Sequence, residues 1–330
     1  MKRTPILWLA MACATALTAG ACSGATSDPT AGSSKDKGAS LTVGVTIQQA
    51  DIYFQGVDNS VESAVSPGGG SVNLVNTQAD ASKEATGFQN LISAQVSGII
   101  ASPLSPTGSL ASVKSAAAAK IPIVCYNTCL GADSQKYAAA FIESDQVDLG
   151  TKTGQYAVTA LKSSGTTKVT LGILNCNRYE ACKERQTGFL GALKEGGIQV
   201  TIAANQKALS PDTGNKIATD ILTGNPGINV MWSASQGPTE GMVAAVKAAG
   251  KTKSVKLFGT DVSPSLVQSV KDGDLLATTG QDSKKTGRLA IEALKKAIGG
   301  ENVAPFETKI PGILYAANDK SLLDQYLANH

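Results

Sequence analysis

Short apolar runs alternate with longer amphipathic stretches from Leu41 onward, with a repeat of about 25 to 30 residues. Runs such as Gly98–Ala101 show no alternation between apolar and polar residues, which is typical of strands covered by helices on both faces. The longer stretches carry apolar residues at helical spacing, as at Ala290, Leu294 and Ile298. The pattern predicts successive β-α units, and therefore parallel sheets with helices on both faces.

This β-α pattern occurs twice along the chain. The first half predicts five strands, at Leu41–Ile47, Ser71–Val75, Gly98–Ala101, Ile121–Tyr126 and Tyr137–Ile142. The second half predicts five more, at Lys168–Leu174, Gln199–Ala204, Asn229–Ala234, Val255–Phe258 and Leu276–Thr279. Residues 309–330 predict one short strand and a terminal helix. The predicted fold class is therefore α/β, with two doubly wound parallel-sheet lobes.

The N-terminus has the features of an export signal. Lys2 and Arg3 precede an apolar stretch at 6–17, and small residues then lead to Cys22. The sequence resembles a bacterial lipoprotein signal, with 1–21 as the signal peptide and lipidated Cys22 as the mature N-terminus. Ala19 stands where that pattern usually has leucine, so ordinary secretory cleavage is the alternative. Residues 22–40, rich in Ser, Gly, Thr and Ala, are expected to form a flexible tether.

Charge and composition argue against a nucleic-acid partner. The formal net charge of the 330 residues is +3, and removal of Lys2 and Arg3 leaves 3 − 2 = +1. No block of like charge occurs along the chain, whereas nucleic-acid-binding surfaces need clustered basic residues. The apolar content of 42% is enough for a sizeable core.

Cys13 would leave with the signal peptide and Cys22 would carry the lipid, which leaves four cysteines: Cys125, Cys129, Cys176 and Cys182. An even number in an oxidising compartment favours two local disulfides, Cys125–Cys129 and Cys176–Cys182. A four-cysteine zinc site is the alternative, although the spacings fit zinc knuckles poorly.

Motifs for catalysis are missing from the sequence. The one histidine is His330, the last residue, which leaves no partner for a His-based triad or a His-rich metal site. Gly250-Lys251-Thr252 resembles the end of a phosphate-binding loop, but residue 245 is alanine where that loop needs glycine. We therefore expect no enzymatic activity, no metal and no organic cofactor.

A carboxylate follows one predicted strand directly, in Gly259-Thr260-Asp261. In parallel α/β sheets, ligands bind outside the carboxyl ends of the strands, so Asp261 is a candidate ligand acceptor. The alternative is that Asp261 caps the helix that begins near Pro264.

The two-lobed pattern resembles the periplasmic sugar-binding proteins of the ribose/galactose class, which are solute receptors of ABC importers. The resemblance covers Leu41 to about Pro311. The segments that carry it are Ala101-Ser102-Pro103, Ile121-Pro122-Ile123-Val124, Glu184-Arg185-Gln186-Thr187-Gly188-Phe189, Gly259-Thr260-Asp261, Asp272-Gly273 and Thr278-Thr279-Gly280-Gln281.

The resemblance implies the type 1 periplasmic binding fold, in which three hinge crossings join two lobes and the ligand binds between them. By this likeness, residues 41–144 and 282–309 form the N-terminal lobe, and 145–281 and 310–330 the C-terminal lobe. The crossings fall near 144–145, 281–282 and 309–311.

Five ligand positions of the family fall in the first lobe, at Asp51, Tyr53, Phe54, Ser102 and Asn127. The aromatic pair after the first strand would form a wall against the C–H face of a sugar, or simply pack at the start of a helix. Asn127 and the residue after it stand where the family has an Asp-Arg pair, and Ser102 stands where it has asparagine.

Five further positions fall in the second lobe, at Arg185, Leu209, Ser235, Asp261 and Gln281. Arginine and aspartate supply charge-assisted hydrogen bonds to hydroxyl groups, and glutamine both donates and accepts. A surface salt bridge is the alternative role for Arg185, because charged residues flank it. Leu209 replaces an aromatic ring of the family, and Ser235 replaces an asparagine.

The resemblance implies a lipid-anchored, monomeric, extracytoplasmic receptor that binds a small sugar or polyol and delivers it to an ABC transporter permease. Its contact with the membrane would be through the lipid anchor alone. The reduced set of polar groups suggests a ligand other than ribose or galactose, such as another pentose, a small polyol or a deoxy sugar. A signalling receptor of the same fold, for example for a furanosyl autoinducer, and a receptor for a nucleoside-like ligand remain alternatives.

Overall fold

The computed structural model describes residues 40–330. The predicted signal peptide, Cys22 and all but the last residue of the predicted tether lie outside the described residues. Within the described part, no helix is both long enough and apolar enough to cross a membrane.

Twelve strands and ten α-helices occur in residues 40–330, numbered here in chain order. The strands are β1 (Thr42–Ile47), β2 (Ser71–Asn76), β3 (Gly98–Ala101), β4 (Ile123–Tyr126), β5 (Ala140–Ser144), β6 (Lys168–Asn175), β7 (Gln199–Lys207), β8 (Val230–Ser233), β9 (Lys256–Thr260), β10 (Ala277–Gly280), β11 (Glu307–Ile310) and β12 (Ile313–Ala316). The helices are α1 (Ile52–Val65), α2 (Ala81–Ser93), α3 (Leu110–Ala118), α4 (Gln146–Ser163), α5 (Glu180–Glu195), α6 (Pro211–Gly224), α7 (Gln236–Ala248), α8 (Pro264–Asp272), α9 (Ser283–Ile298) and α10 (Lys320–Ala328).

The strands form two six-stranded sheets with matching order. The first sheet runs β2-β1-β3-β4-β5-β11 and the second runs β7-β6-β8-β9-β10-β12. Neighbouring strands are parallel throughout, except that β12 is antiparallel to β10. The predicted α/β class with two doubly wound, mainly parallel sheets is confirmed, and the antiparallel edge strand is an addition to it.

Each sheet has an apolar core on both of its faces. On the first sheet, Val43, Val45 and Ile47 of β1 pack with α1 and α9, while Phe88 and Ile99 belong to the cluster on the opposite face. The second sheet likewise contributes to two clusters. Burial on both faces explains why these strands show no polar alternation in the sequence.

Short polar residues define where several helices begin. Asp51 accepts a hydrogen bond from the backbone N–H of Phe54 (3.0 Å) at the start of α1, and Asp282 does the same for Lys285 (2.9 Å) at the start of α9. Such side chains satisfy backbone donors that a helix leaves unpaired at its first turn. These caps hold the loops between strands and helices at the carboxyl edge of each sheet.

The chain passes between the two sheets three times. It leaves the first sheet after Ser144 and enters α4, which packs on β9, β10 and β12. It returns after Gly280 into α9, which packs on β3, β4 and β5. The last passage is between Ile310 of β11 and Ile313 of β12. Each sheet is therefore completed by a segment from the far end of the chain.

Three local predictions were wrong. The fifth strand was expected at 137–142, but a 3-10 turn occupies Ala132–Tyr137 and the strand begins at Ala140. The C-terminal region was expected to hold one strand and holds two, because β11 and β12 join different sheets. The sequence pattern predicts a helix over 239–249, but α7 begins at Gln236, since proline at Pro238 is compatible with the first turn of a helix.

Both local disulfides favoured by the sequence are present in the structure. Cys125 pairs with Cys129 and Cys176 with Cys182, with Cα atoms 5.3 and 5.4 Å apart, which is within the usual range for such bonds. The alternative of a four-cysteine zinc site is wrong because all four sulfur atoms are used in these bonds.

Candidate functional site

A cavity of about 430 Å³ lies at the carboxyl ends of strands from both sheets. This is the edge where ligands bind in parallel α/β folds. Nine of the ten positions predicted to contact ligand line it: Asp51, Tyr53, Phe54, Asn127, Arg185, Leu209, Ser235, Asp261 and Gln281. The tenth, Ser102, does not.

A second cavity of about 460 Å³ adjoins the first one. Asp51, Tyr53, Leu209, Asp261 and Gln281 contribute to both walls. Beyond them, the second cavity extends over the first turn of α7 and over α10. The predicted ligand positions therefore lie in the middle of one continuous cleft.

Asp261 lies directly after β9 and is held by its backbone as well as its side chain. Its φ is +67°, in the left-handed region, and its backbone N–H donates to the carbonyl of Thr279 (2.8 Å). The Thr278 hydroxyl donates to its carbonyl oxygen (2.7 Å). The helix-cap alternative is wrong, because Ser263 caps α8 by accepting from the N–H of Leu266.

Arg185 is buried in this cleft, with 5% of its surface exposed. Its Nη1 donates to Asp261 Oδ2 (2.8 Å) and to the carbonyl of Ala234 (2.9 Å), and its Nε donates to Gln146 Oε1 (2.7 Å). The surface salt-bridge alternative for Arg185 is wrong, since the surface pair on α5 is Lys183 with Glu180 (2.7 Å).

Two glycines let α4 and α5 approach closely enough for this contact. A Cβ atom on Gly150 would collide with the carbonyl of Arg185, and one on Gly188 would collide with the carbonyl of Val147. No side chain larger than hydrogen fits at either crossing point. The close approach brings Gln146, the first residue of α4, against the guanidinium of Arg185.

Gln281 completes the polar wall on the second sheet. It follows β10 directly, and its Nε2 donates to Asp261 Oδ1 (2.9 Å). Its Oε1 is buried and has no hydrogen-bond partner among the described residues. The Asp261 carboxylate thus accepts one bond from Arg185 and one from Gln281.

Asn127 is the counterpart of Asp261 in the first sheet, because it follows β4 at the matching place in the strand order. It too has a left-handed φ, of +60°, and its backbone N–H donates to the carbonyl of Ile142 (3.1 Å) on the next strand. Its Nδ2 donates to Ser102 Oγ (3.3 Å).

Ser102 lies behind the cavity wall, so its contact with ligand stays a prediction. Ser102 is fully buried and is absent from the cavity wall. Its hydroxyl accepts from Gln48 Nε2 (3.1 Å) and from Asn127 Nδ2. A serine side chain is too short to reach past these two amides, so it supports them from behind.

The two aromatic residues after β1 have different environments. Phe54 is 5% exposed and packs edge-on against Tyr126, with ring centroids 5.9 Å apart, so most of its surface belongs to the core. Tyr53 lines both cavities. Burial raises the pKa of the Tyr53 hydroxyl to about 12, so the group stays neutral.

Asp51 both caps a helix and lines the cleft. It caps α1, and its Oδ2 accepts from Gln49 Nε2 (2.7 Å). Burial, together with the nearby negative charge of Asp261, raises the pKa of its carboxyl group. The remaining predicted positions, Leu209 and Ser235, lie at the boundary between the two cavities.

Several cavity residues were not found from the sequence: Gln48, Gln49, Glu143, Gln146, Arg178 and Tyr179. Gln48 donates to the carbonyl of Pro103 (2.9 Å) and follows β1 at its carboxyl end. That strand-end position is the signal that could have identified it. Arg178 and Tyr179 lie in the loop closed by the Cys176–Cys182 disulfide, which holds them at the mouth of the cavity.

Glu143 is the cavity residue with the most perturbed carboxyl group. Burial raises its pKa from 4.5 to about 7, although Lys309 Nζ lies 3.2 Å from Glu143 Oε1 and opposes this effect. Glu307 and Glu184 add to the rise through their negative charge. No cluster of three or more potential metal-binding side chains occurs in the described range 40–330.

Residues 43–302 match the periplasmic binding protein domain family. The chain belongs to this family. The match covers most of both sheets and all ten positions predicted to contact ligand.

Two curated relatives extend over most of the chain. The ABC transporter periplasmic-binding protein YphF of Escherichia coli K12 is 28% identical over 294 residues, covering 88% of this chain and 89% of the relative. The ribose import binding protein RbsB of Bacillus subtilis is 23% identical over 265 residues, covering 80% and 83%.

Solved structures show the same fold. An arabinose-transporter binding protein from Shewanella, bound to L-arabinofuranose, aligns with a TM-score of 0.78 at 19% identity and covers 88% of this chain and 96% of its own. A solute-binding protein from Bacillus halodurans with bound myo-inositol aligns with a TM-score of 0.75 at 23% identity and covers 88% and 98%.

Proposed function

We propose that this protein is an extracytoplasmic solute-binding protein of an ABC importer, with a small sugar or polyol as its ligand in the cleft. The observation that carries the proposal is the row of polar side chains at the strand ends, built around the buried Arg185–Asp261 pair (2.8 Å). Membership of the periplasmic binding protein family and the sugar-related names of its relatives support it.

The chemistry of the cleft suits hydroxyl groups. Gln146 Nε2 and Gln281 Oε1 are buried without a hydrogen-bond partner among residues 40–330. The first is a donor and the second is an acceptor. A polyol presents several groups that can donate and accept, and it would satisfy such atoms together.

Aromatic rings line the same cavity on both sides. Tyr53 comes from the first lobe and Tyr179 from the second, where it is 39% exposed. Aromatic side chains combine a large apolar face with a polar tip, and the C–H face of a sugar ring can pack on such a surface. Tyr179 would supply in the second lobe the ring that Leu209 does not provide.

The ligand that we favour is a pentose, a small polyol or a deoxy sugar. Asn127 and the residue after it lack the charges of the Asp-Arg pair that the ribose/galactose class has there. Ser235 has a shorter polar side chain than the asparagine of that class. L-Arabinofuranose and myo-inositol, which occupy two of the structural relatives, belong to these ligand classes.

Binding would draw two lobes together by hinge motion. We take residues 41–144 and 282–309 as the N-terminal lobe and 145–281 and 310–330 as the C-terminal lobe. The ligand would contact both lobes and so favour the closed form, which the permease would then recognise. Lipidation of Cys22, a monomeric state and the absence of enzymatic activity are parts of the same proposal.

A binding screen tests this function directly. Thermal shift followed by calorimetry would be measured with L-arabinose, D-ribose, D-allose, D-galactose, myo-inositol and a nucleoside. We expect at least one sugar or polyol to stabilise the protein, by about 2.7 kcal/mol at a hundredfold excess over its Kd. No response to any sugar or polyol would contradict the proposal, and turnover of the ligand would indicate an enzyme instead.

A further inference from the structure

We propose that the second cavity, of about 460 Å³, binds an uncharged apolar group attached to the sugar or polyol, such as the aryl group of a glycoside. The ligand would then have two parts, with its hydroxyl groups in the first cavity and its substituent in the second. The inference rests on the proposed function and adds to it a second subsite and the chemistry of the group that fills it.

The second cavity has an aliphatic wall that belongs to the second sheet and its helices. Val262 follows β9, Ile313 lies in β12 and Leu322 lies in α10, and all three side chains line the cavity. They are half-buried and pack against the apolar core of the second sheet. Each is therefore held by the core on one side and leaves apolar surface at the cavity on the other.

Two tyrosines belong to the same wall. Tyr315 and Tyr326 line the cavity, are 6% and 8% exposed, and pack edge to face with ring centroids 5.2 Å apart. His330 stacks on Tyr326 with centroids 4.2 Å apart. Burial raises the pKa of the Tyr315 hydroxyl to about 12 and also raises that of Tyr326, so both groups stay neutral.

A second sugar unit is poorly suited to this wall. Its hydroxyl groups would leave water to face Val262, Ile313 and Leu322, which offer no hydrogen bond, and unpaired polar groups are unfavourable. An apolar substituent instead gains free energy by leaving water. An aryl ring can in addition pack against the tyrosine rings.

The charged groups around the second cavity argue against an anionic substituent. The carboxyl groups of Asp51, Glu240 and Asp282 line it, together with the ammonium group of Lys284. Negative charge therefore predominates, and it repels a phosphate or carboxylate on the ligand. The substituent that fits this wall is neutral.

The two cavities share part of their walls, so one ligand can reach both. Asp51, Tyr53, Leu209, Asp261 and Gln281 line each of them. A ring whose hydroxyls contact these residues has a position that points toward the second cavity. Sites of about 300–1,000 Å³ hold drug-sized ligands, so the second cavity has room for an aryl ring.

The test uses the best-binding probe among L-arabinose, D-ribose, D-allose, D-galactose and myo-inositol. Its derivatives carry a methyl, phenyl, 4-carboxyphenyl or glucosyl group on each hydroxyl in turn. Calorimetry would give Kd for the wild type, Leu322→Ala, Leu322→Met and the matched control Leu327→Ala. Both leucines lie in α10, are half-buried and pack against the same core, but Leu327 is not part of the cavity wall. Urea unfolding would compare the stability of the variants.

At one hydroxyl position, the phenyl derivative should bind the wild type about 10- to 100-fold more tightly than the methyl derivative, because the ring buries apolar surface. The 4-carboxyphenyl derivative should bind more weakly than the phenyl one. Leu322→Ala should raise the Kd of the phenyl derivative about 3- to 10-fold and leave that of the unsubstituted probe unchanged, and Leu322→Met should restore most of the affinity. Leu327→Ala should change neither Kd.

Three results would overturn the inference alone, with the unsubstituted probe still bound. The first is that no phenyl derivative binds more tightly than its methyl counterpart. The second is an equal Kd of the phenyl derivative in Leu322→Ala and Leu327→Ala. The third is a glucosyl derivative that binds more tightly than the phenyl one, which would make the second cavity a sugar subsite. A wild type that binds none of the five probes would overturn the proposed function, and the inference with it.

Discussion

Removal of the Asp261 carboxylate should destabilise the folded protein strongly. In Asp261→Ala the guanidinium of Arg185 stays buried, with 6% of its side chain exposed, and loses its ion-pair partner. Breaking such a buried pair costs about 3–5 kcal/mol. Arg185 would keep its bonds to Gln146 and to the carbonyl of Ala234, so we expect the lower end, about 3 kcal/mol.

The measurement is urea unfolding followed by circular dichroism and by the fluorescence of Trp232, which lies in β8. The two signals should coincide if unfolding is two-state. Asp220→Ala is the control, because Asp220 forms an exposed pair with Lys216, with 52% and 76% of the side chains exposed. That change should cost about 0.5 kcal/mol or less.

The double variant Arg185→Met with Asp261→Ala tests the reasoning further. It removes the unpaired charge, so it should be more stable than Asp261→Ala alone. The argument would be refuted if Asp261→Ala cost no more than Asp220→Ala. It would also be refuted if the effects of Arg185→Met and of Asp261→Ala on the free energy of unfolding were additive in the double variant, because additivity is expected of residues that do not interact.

Three other changes test separate features. The pKa of Glu143 is about 7 in the folded protein and 4.5 ordinarily, so its contribution to stability is present below pH 4.5 and is lost as the pH rises toward 7. The unfolding free energy of the wild type minus that of Glu143→Gln should therefore fall across that interval, and a constant difference would contradict the pKa shift. Replacing Cys176 and Cys182 together by serine should lower the free energy of unfolding by about 2 kcal/mol and weaken ligand binding, because the disulfide holds Arg178 and Tyr179 at the cavity. An unchanged Kd in calorimetry would show that the disulfide does not support binding in this way. Gly259→Ala should lower the melting temperature and cost about 1–3 kcal/mol, since its Cβ would lie 2.5 Å from Thr239 Cγ2; a variant as stable as the wild type would show that the neighbouring threonine moves aside freely.

The sequence was a good guide wherever position along a strand decides the outcome. Asp261 and Gln281 follow buried strands directly, and the carboxyl ends of parallel strands meet at one edge. Their position in the cleft could therefore be predicted from the β-α pattern and the resemblance. The antiparallel direction of β12 could not be predicted in the same way. The strand is four residues long and follows a tight connection, and its sequence does not indicate whether it runs parallel or antiparallel to its neighbour.

Residues that depend on packing between elements were harder to find. Gln146 reaches Arg185 because Gly150 and Gly188 let two helices approach, and such a crossing depends on contacts between residues far apart in sequence. Ser102 was assigned to the ligand by position alone, but its short side chain stops behind Gln48 and Asn127. Phe54 likewise has the right position, and its ring faces mainly the core.

The order of the edge strands has a consequence for how the molecule is made. β11 closes one sheet beside β5, and β12 closes the other beside β10, yet both are synthesised within the last 24 residues of the chain, 307–330. A chain that ends before Glu307 leaves β5 and β10 as open edges, which are templates for pairing with other chains. Because β11 and β12 are the last strands to be synthesised, neither sheet can be complete until nearly the whole polypeptide exists. The nascent protein is thus incompletely paired for almost all of its synthesis.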